Sequence, residues 1–263
     1  MGRPIQVPDL ILFDLDGTLA DTAPDLIAAA NEVTIEFGGK PGSASDLRPL
    51  VGQGGRALLN ATLGPVSTDV EARRVARFLA RYAARICVAT RLFDGMPTLL
   101  SSLRESGCHW GIVSNKPHPM CESVVAGLRD RGQLDRPLVT IGAGATRAAK
   151  PDPAGLLLAA SCAGAAPQRC WYVGDDERDI VAARRAGMTA IAAAWGYIPP
   201  GTSPAAWEAD FIADSPAHLH AVFEAAAPPP LSSGADSQVA GARSLYTSTT
   251  RPATLRDHDE STR

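Results

Sequence analysis

The chain has 263 residues, with 25 Lys and Arg against 28 Asp and Glu for a net charge of -3, and is 45% hydrophobic and 20% charged. This is close to the globular average and excludes a wholly disordered or fibrous chain; the length suits one large domain or one domain with a smaller partner. Balanced charge offers no broad positive field for nucleic acid, no run approaches the roughly 20 apolar residues of a membrane helix, and Met1 to Gln6 lacks the apolar stretch of a secretion signal, so a cytoplasmic protein with neither nucleic-acid nor membrane partners is expected.

Asp9 to Phe13 is an apolar run that stops at Asp14-Leu15-Asp16-Gly17-Thr18, the pattern of a strand buried on both faces and followed by a polar turn. Residues 21–92 carry no strand pattern and instead show helical spacing in Leu26 to Phe37, Arg56 to Leu63 and Val70 to Ile86, which predicts a helical insert. Because it leaves after the first strand and returns before the second, it suits a small second domain over the sheet edge. Strand patterns recur at His109 to Ser114, Leu138 to Ile141, Trp171 to Gly174 and Thr189 to Ala193. Helical ones lie at Met96 to Ser106, Met120 to Arg131, Pro153 to Cys162 and Arg178 to Ala186. The alternation predicts an α/β fold with a parallel sheet and right-handed crossovers. From Pro228 the chain is poor in large apolar residues and reads as a disordered tail through Arg263. Cys87, Cys108, Cys121, Cys162 and Cys170 form no C-x-x-C pair and read as buried, reduced structural thiols. The five histidines show no metal-ligand spacing.

In an open parallel sheet, ligands bind beyond the carboxyl ends of the strands. The polar groups of this chain gather there: Asp14 and Asp16 after the first strand, Ser114-Asn115-Lys116 after the second, Lys150-Pro151 beyond the third, and Asp175-Asp176 with Asp179 after the fourth. Two carboxylates two residues apart repel unless a cation lies between them or one holds a proton, so Asp14 and Asp16 suit a divalent metal or divided acid and base roles. The plainer alternative is an Asp-Gly turn with solvated side chains. Asp175, Asp176 and Asp179 alone suit a helix N-terminus. Two such clusters on one sheet supply the hard oxygen ligands that magnesium takes. Lys150, Ser114, Asn115 and Thr18 around them make a suitable site for a phosphoryl group, whose transfer depends chiefly on positioning and charge neutralisation.

Phe13-Asp14-Leu15-Asp16-Gly17-Thr18-Leu19, Ser114-Asn115, Lys150-Pro151-Asp152-Pro153 and Gly174-Asp175-Asp176-Glu177-Arg178-Asp179 resemble, in order, the four motifs of the haloacid dehalogenase-like hydrolases, and the helical insert is similar to the cap of their phosphoglycolate phosphatase-like branch. The resemblance implies a Rossmann-like parallel sheet core flanked by helices, with an inserted helical cap: residues 1–20 and 93–227 as core, 21–92 as cap, 228–263 as tail. It implies Asp14 as a nucleophile forming an aspartyl-phosphate, and Asp16 as the acid that protonates the leaving oxygen and then activates water. Thr18, Ser114 and the Asn115 backbone would hold phosphoryl oxygens, and Lys150 would neutralise charge. Asp14, the Asp16 carbonyl and Asp175 would hold Mg2+, and Asp176 or Asp179 would orient water at the metal or Lys150. An acid at the position of Asp16 favours phosphomonoesters over halides, since halide departs unprotonated.

Leu47 to Arg56 resembles the branch's substrate loop, with Arg56 as a candidate partner for a substrate carboxylate. Other stretches, including Leu92 to Pro97 and Trp195-Gly196-Tyr197-Ile198, look like N-acetylmuramic acid 6-phosphate phosphatases, with Trp195 and Tyr197 expected to pack the core edge. The expected partner is a small-molecule phosphate ester, 2-phosphoglycolate or N-acetylmuramic acid 6-phosphate. A phosphomutase and a non-catalytic regulatory protein are the rivals, and oligomeric state stays open.

Overall fold

A computed structural model describes residues 7–226; the segment expected to be a tail, 228–263, lies outside the described residues. Six parallel strands form one sheet: β1 (Leu10–Phe13), β4 (His109–Pro117), β5 (Thr140–Ala143), β6 (Cys170–Gly174), β7 (Thr189–Ala193) and β8 (Phe211–Ala213), in the order β5-β4-β1-β6-β7-β8. The expected α/β sheet is therefore present, with one strand more than the sequence suggested.

The central strands are apolar throughout because both faces are covered. On β1, Ile11 and Phe13 enter one core with α5 (Met96–Glu105), α6 (His118–Asp130) and α9 (Pro216–Ala226). Leu10 and Leu12 enter the opposite core with α7 (Ala154–Cys162) and α8 (Glu177–Ala186). Trp171 and Val173 alternate with Cys170 and Tyr172 on β6 in the same way. A two-residue period on strands with two buried faces gives this three-layer arrangement.

The chain passes from β1 outward to β4 and β5, then returns to the other side of β1 for β6, β7 and β8. This reversal creates a switch point beside β1, where a crevice opens at the strands' carboxyl ends. Register fixes what meets there, since Phe13 pairs with Ile112 on one side and Val173 on the other. The residues that follow, Asp14, Ser114 and Asp175, must then converge.

Between β1 and β4 lie α1 (Ala23–Glu36), α2 (Ala44–Leu47), a 3-10 segment at 48–53, α3 (Gly55–Leu63) and α4 (Thr68–Ala83). Their apolar faces form a third cluster that includes Leu26, Val33, Val51, Leu58, Phe78 and Tyr82, and also Tyr197 from the loop after β7. The segment predicted to be strand-free is bounded by a short antiparallel ribbon, β2 (Ala20–Asp21) with β3 (Arg91–Leu92), whose two-residue strands are too brief to show periodicity. Four cysteines are buried as expected, but Cys162 is exposed at the end of α7. No helix among the described residues is long and apolar enough to cross a membrane.

The two ends of the helical segment are joined by Asp25. This fully buried carboxylate accepts from the backbone N–H groups of Ala89 and Thr90 and from the Thr90 hydroxyl, at 2.8 to 3.1 Å. Asp25→Ala leaves those buried donors unsatisfied, and the expected loss is about 2 to 4 kcal/mol of unfolding free energy, read as a lower urea midpoint at unchanged slope.

Candidate active site

Asp14 extends the β1 ladder by one bond, from its N–H to Val173 O at 2.8 Å, so its side chain stands at the carboxyl edge of the sheet. The following turn closes through Leu19 N–H to Asp14 O and Ala20 N–H to Leu15 O. Gly17 has φ +87°, and a Cβ there would lie 2.2 Å from Asp175 Oδ2. A Cβ on Gly196 would lie 2.1 Å from Asp175 Cβ. Two glycines thus make the space into which Asp175 fits.

Lys150 is set among these acids from beyond β5. The Asn115 side chain grips its peptide from both sides, accepting from Lys150 N–H at 2.8 Å and donating to Lys150 O at 3.0 Å. The Lys150 ammonium lies 3.1 Å from Asp14 Oδ1 and 2.7 Å from Asp179 Oδ1, and donates to the Tyr172 hydroxyl at 2.7 Å. Burial by itself would lower its pKa, but Asp14 and Asp179 more than offset this and hold it charged. Asp176 and Asp179 form a capping box at the start of α8, and Asp179 is the one that reaches Lys150; Asp176 pairs with Arg178.

Asp14, Asp175 and Asp179 each present an oxygen within 4.8 Å of the others. Burial first, then the charges of Asp14 and Asp179, push Asp175 well above the ordinary carboxylate range, against the pull of Tyr197 N–H and the Thr18 hydroxyl. Burial raises Asp179 to about 6 even with Lys150 beside it. Five carboxylates (Asp14, Asp16, Asp175, Asp176, Asp179) but only three cations (Lys116, Lys150, Arg178) line the cavity above. Acid excess, the burial of Asp175 and Asp179, and an all-oxygen donor set fit a divalent cation of the magnesium type.

The Asp16 carboxylate is not part of that acidic trio. Both of its oxygens accept from Lys116, at 2.9 and 3.1 Å, and Oδ1 also accepts from the Thr22 hydroxyl at 2.6 Å. Lys116 lies over the ring of Tyr82, 4.3 Å from its centroid. Burial alone would lower the Lys116 pKa; Asp16 chiefly, with Tyr82, reverses the shift.

Above these groups is a cavity of about 270 Å³. Its floor includes Asp14, Asp16, Ser114, Asn115 and Lys150, and its roof is formed by residues of the helical segment, including Leu26, Val51, Leu58, Phe78 and Tyr82. Two residues expected in the site are not brought to it. Thr18 is fully buried and spends its hydroxyl on Asp175, because the Gly17 turn directs it beneath the loop. Arg56 is mostly exposed and pairs with Glu71 at 3.4 Å, because the first turn of α3 points it away from the cavity. Trp195 and Tyr197 serve the core edge as expected, through Trp195 Nε1 to Thr18 O and the Tyr197 hydroxyl to Asp21. Sequence reasoning gave no role to Lys116, Tyr172, Tyr82 and Arg178. Lys116 was findable, since it directly follows Ser114-Asn115; Tyr172 was hidden in an apolar strand and Tyr82 in an amphipathic helix.

The sequence pattern of the haloacid dehalogenase-like hydrolases matches residues 11–193. The chain belongs to that family. It is 41% identical over 215 residues to a phosphoglycolate phosphatase of Xanthomonas campestris pv. campestris (strain 8004), covering 82% of this chain and 96% of that protein. It is 40% identical over 218 residues to an N-acetylmuramic acid 6-phosphate phosphatase of Pseudomonas aeruginosa, covering 82% and 95%. The fold matches the crystal structure of a predicted phosphoglycolate phosphatase from Haemophilus somnus 129PT with TM-score 0.71 at 23% identity, covering 83% of this chain and 99% of that one.

In the metal-free protein, Asp175→Asn removes one of three clustered acids, two of them buried, while still meeting Tyr197 N–H and the Thr18 hydroxyl. Its thermal midpoint in EDTA is expected to exceed the parent's. Saturating magnesium is expected to reverse the order, since a hundredfold excess over Kd stabilises a binding protein by about 2.7 kcal/mol.

Proposed function

We propose that this chain is a magnesium-dependent phosphatase of small acidic phosphomonoesters, of the phosphoglycolate phosphatase type. The observation that carries this is the meeting of Asp14, Asp175, Asp179 and the Lys150 ammonium at one end of the sheet, beneath a cavity of about 270 Å³. Relatives named as phosphatases near 40% identity add to it.

In this reading an Asp14 oxygen attacks phosphorus, the bond to the ester oxygen breaks, and that oxygen leaves with a proton from Asp16. Water, deprotonated by Asp16, then hydrolyses the aspartyl-phosphate and releases inorganic phosphate. Lys150 offsets charge on Asp14 and the phosphoryl group, while Ser114 and the Asn115 backbone hold phosphoryl oxygens. Asp14, Asp175 and the Asp16 carbonyl hold Mg2+, with Asp179 beside them to orient Lys150; the ion supplies charge neutralisation for the transferring group. Residues 21–92 act as a cap, closing the cavity against water. Thr18 acts indirectly, by fixing Asp175. Arg56, turned outward onto Glu71, is given no role in recognition.

N-acetylmuramic acid 6-phosphate is the second candidate substrate. The apolar roof, with Leu26, Val51, Leu58, Phe78 and Tyr82, favours it by offering surface to a leaving group larger than a two-carbon acid.

Phosphate release from 2-phosphoglycolate, N-acetylmuramic acid 6-phosphate and several hexose phosphates tests the assignment. EDTA is expected to silence the preferred reaction and magnesium to restore it. Asp14→Asn should lower kcat at least about a thousandfold with an unchanged circular dichroism spectrum. Retained turnover in that variant would remove the mechanism, and an isomeric sugar phosphate in place of free phosphate would identify a mutase.

A further inference from the structure

Lys116 is a buried cation that the proposed chemistry leaves unused. Its side chain is 4% exposed, so solvent does little to share its charge. Two of its contacts go to the two oxygens of one carboxylate, Asp16, and its remaining side is covered by the ring face of Tyr82 from α4. An ammonium has three donors. With two committed to Asp16 and an aromatic face against the charge, Lys116 is saturated and poorly placed to take a further anion from a substrate.

The same contacts fix Asp16. Thr22 donates to Oδ1 and Lys116 to both oxygens, so the carboxylate plane is held from two directions. Asp14, two residues earlier, is held by a different ammonium, Lys150, at 3.1 Å. Separate cations thus keep the two carboxylates of one short loop apart. Thr22 lies just after β2 at the start of α1, whereas Lys116 comes from β4 and Tyr82 from α4.

We propose that Lys116, seated on Tyr82, is a positioning residue for Asp16: it holds the carboxylate that serves the leaving group in one orientation, and Tyr82 makes that orientation depend on where α4 lies over the sheet. The proposal rests on the role given to Asp16 above. A misplaced catalytic group costs on the order of a hundredfold, and the cost falls on the step that group serves.

The test compares Lys116→Met, Tyr82→Leu and Asp16→Asn on two substrates: the best alkyl phosphate of the panel above, and p-nitrophenyl phosphate, whose leaving group hardly needs an acid. Lys116→Met is expected to lower kcat on the alkyl ester about 30- to 100-fold and on the aryl ester less than about fivefold, with KM and the magnesium dependence near the parent's. Tyr82→Leu should show the same split at about five- to tenfold. Equal losses on both substrates in Lys116→Met, or a loss confined to KM for carboxylate-bearing substrates, would overturn the proposal. If Asp16→Asn itself shows no split, the role of Asp16 falls and the proposal with it; a split there but not in Lys116→Met or Tyr82→Leu overturns the proposal alone. Should Lys116→Met fail to fold, judged by circular dichroism, Tyr82→Leu decides.

Discussion

The structure is built around a local excess of buried negative charge. Parallel pairing of β1 with β4 and β6 places Asp14 and Asp175 at the same edge, and the capping box of α8 adds Asp179 one turn further on. Water cannot solvate the trio fully, since Asp175 and Asp179 are both almost completely buried. Such carboxylates are tolerable only beside cations, and removing the partner of a buried charge typically costs about 3 to 5 kcal/mol. Lys150 supplies one cation, and the network around it shows how much of the fold is committed to holding it: Asn115 grips its backbone, and Tyr172 and Val113 O receive its ammonium. One ammonium does not balance three acids. The remaining imbalance suits the site to a divalent cation and, under the function proposed above, to a phosphoryl group beside it.

The turn after β1 carries two aspartates in different surroundings. Asp14 faces Lys150 and the acidic trio, whereas Asp16 faces Lys116 and Thr22. Identical side chains acquire different chemistry when their neighbours differ, and divided roles for two carboxylates follow from that difference and not from residue type. Gly17 allows it: its left-handed conformation turns the chain sharply enough to aim residues 14 and 16 at separate partners while Thr18 passes below to Asp175.

Most of the sheet was legible in the sequence because strands buried on both faces leave continuous apolar runs, as Leu10 to Phe13 and Trp171 to Gly174 do. β8 was not, since Phe211, Ile212 and Ala213 form too short an edge strand and are partly exposed at Phe211 and Ile212. The acids and Lys150 were legible for a related reason: polar residues that directly follow apolar strands have few other places to go. Arg56 misled because charge in a glycine-rich segment says nothing about direction, and the helical phase of α3 sends it to Glu71. Thr18 departs from expectation because a motif fixes where a residue stands in the chain but not where its hydroxyl points, and here it meets the buried Asp175. Tyr172 and Tyr82 left no sign, since an aromatic residue in an apolar strand or helix face looks like ordinary core.

The cavity roof is attached to its floor by contacts of two kinds. Tyr197 joins the apolar cluster of the helical segment, and its hydroxyl reaches Asp21 at 2.7 Å. Beside it, Arg48 of the segment lies over the Tyr197 ring, 5.2 Å from its centroid, and Arg178 of α8 donates to Gly52 O at 2.8 Å while holding Asp176. Both guanidinium groups are roughly two-fifths exposed, so these two contacts are shared with water. Deeper in, Tyr82 of the segment covers Lys116 of β4, and Asp25 holds both ends of the segment with buried bonds. Attachment is thus strongest where the segment enters and leaves and beneath Tyr82, and most open to water at the outer edge by Arg48 and Arg178.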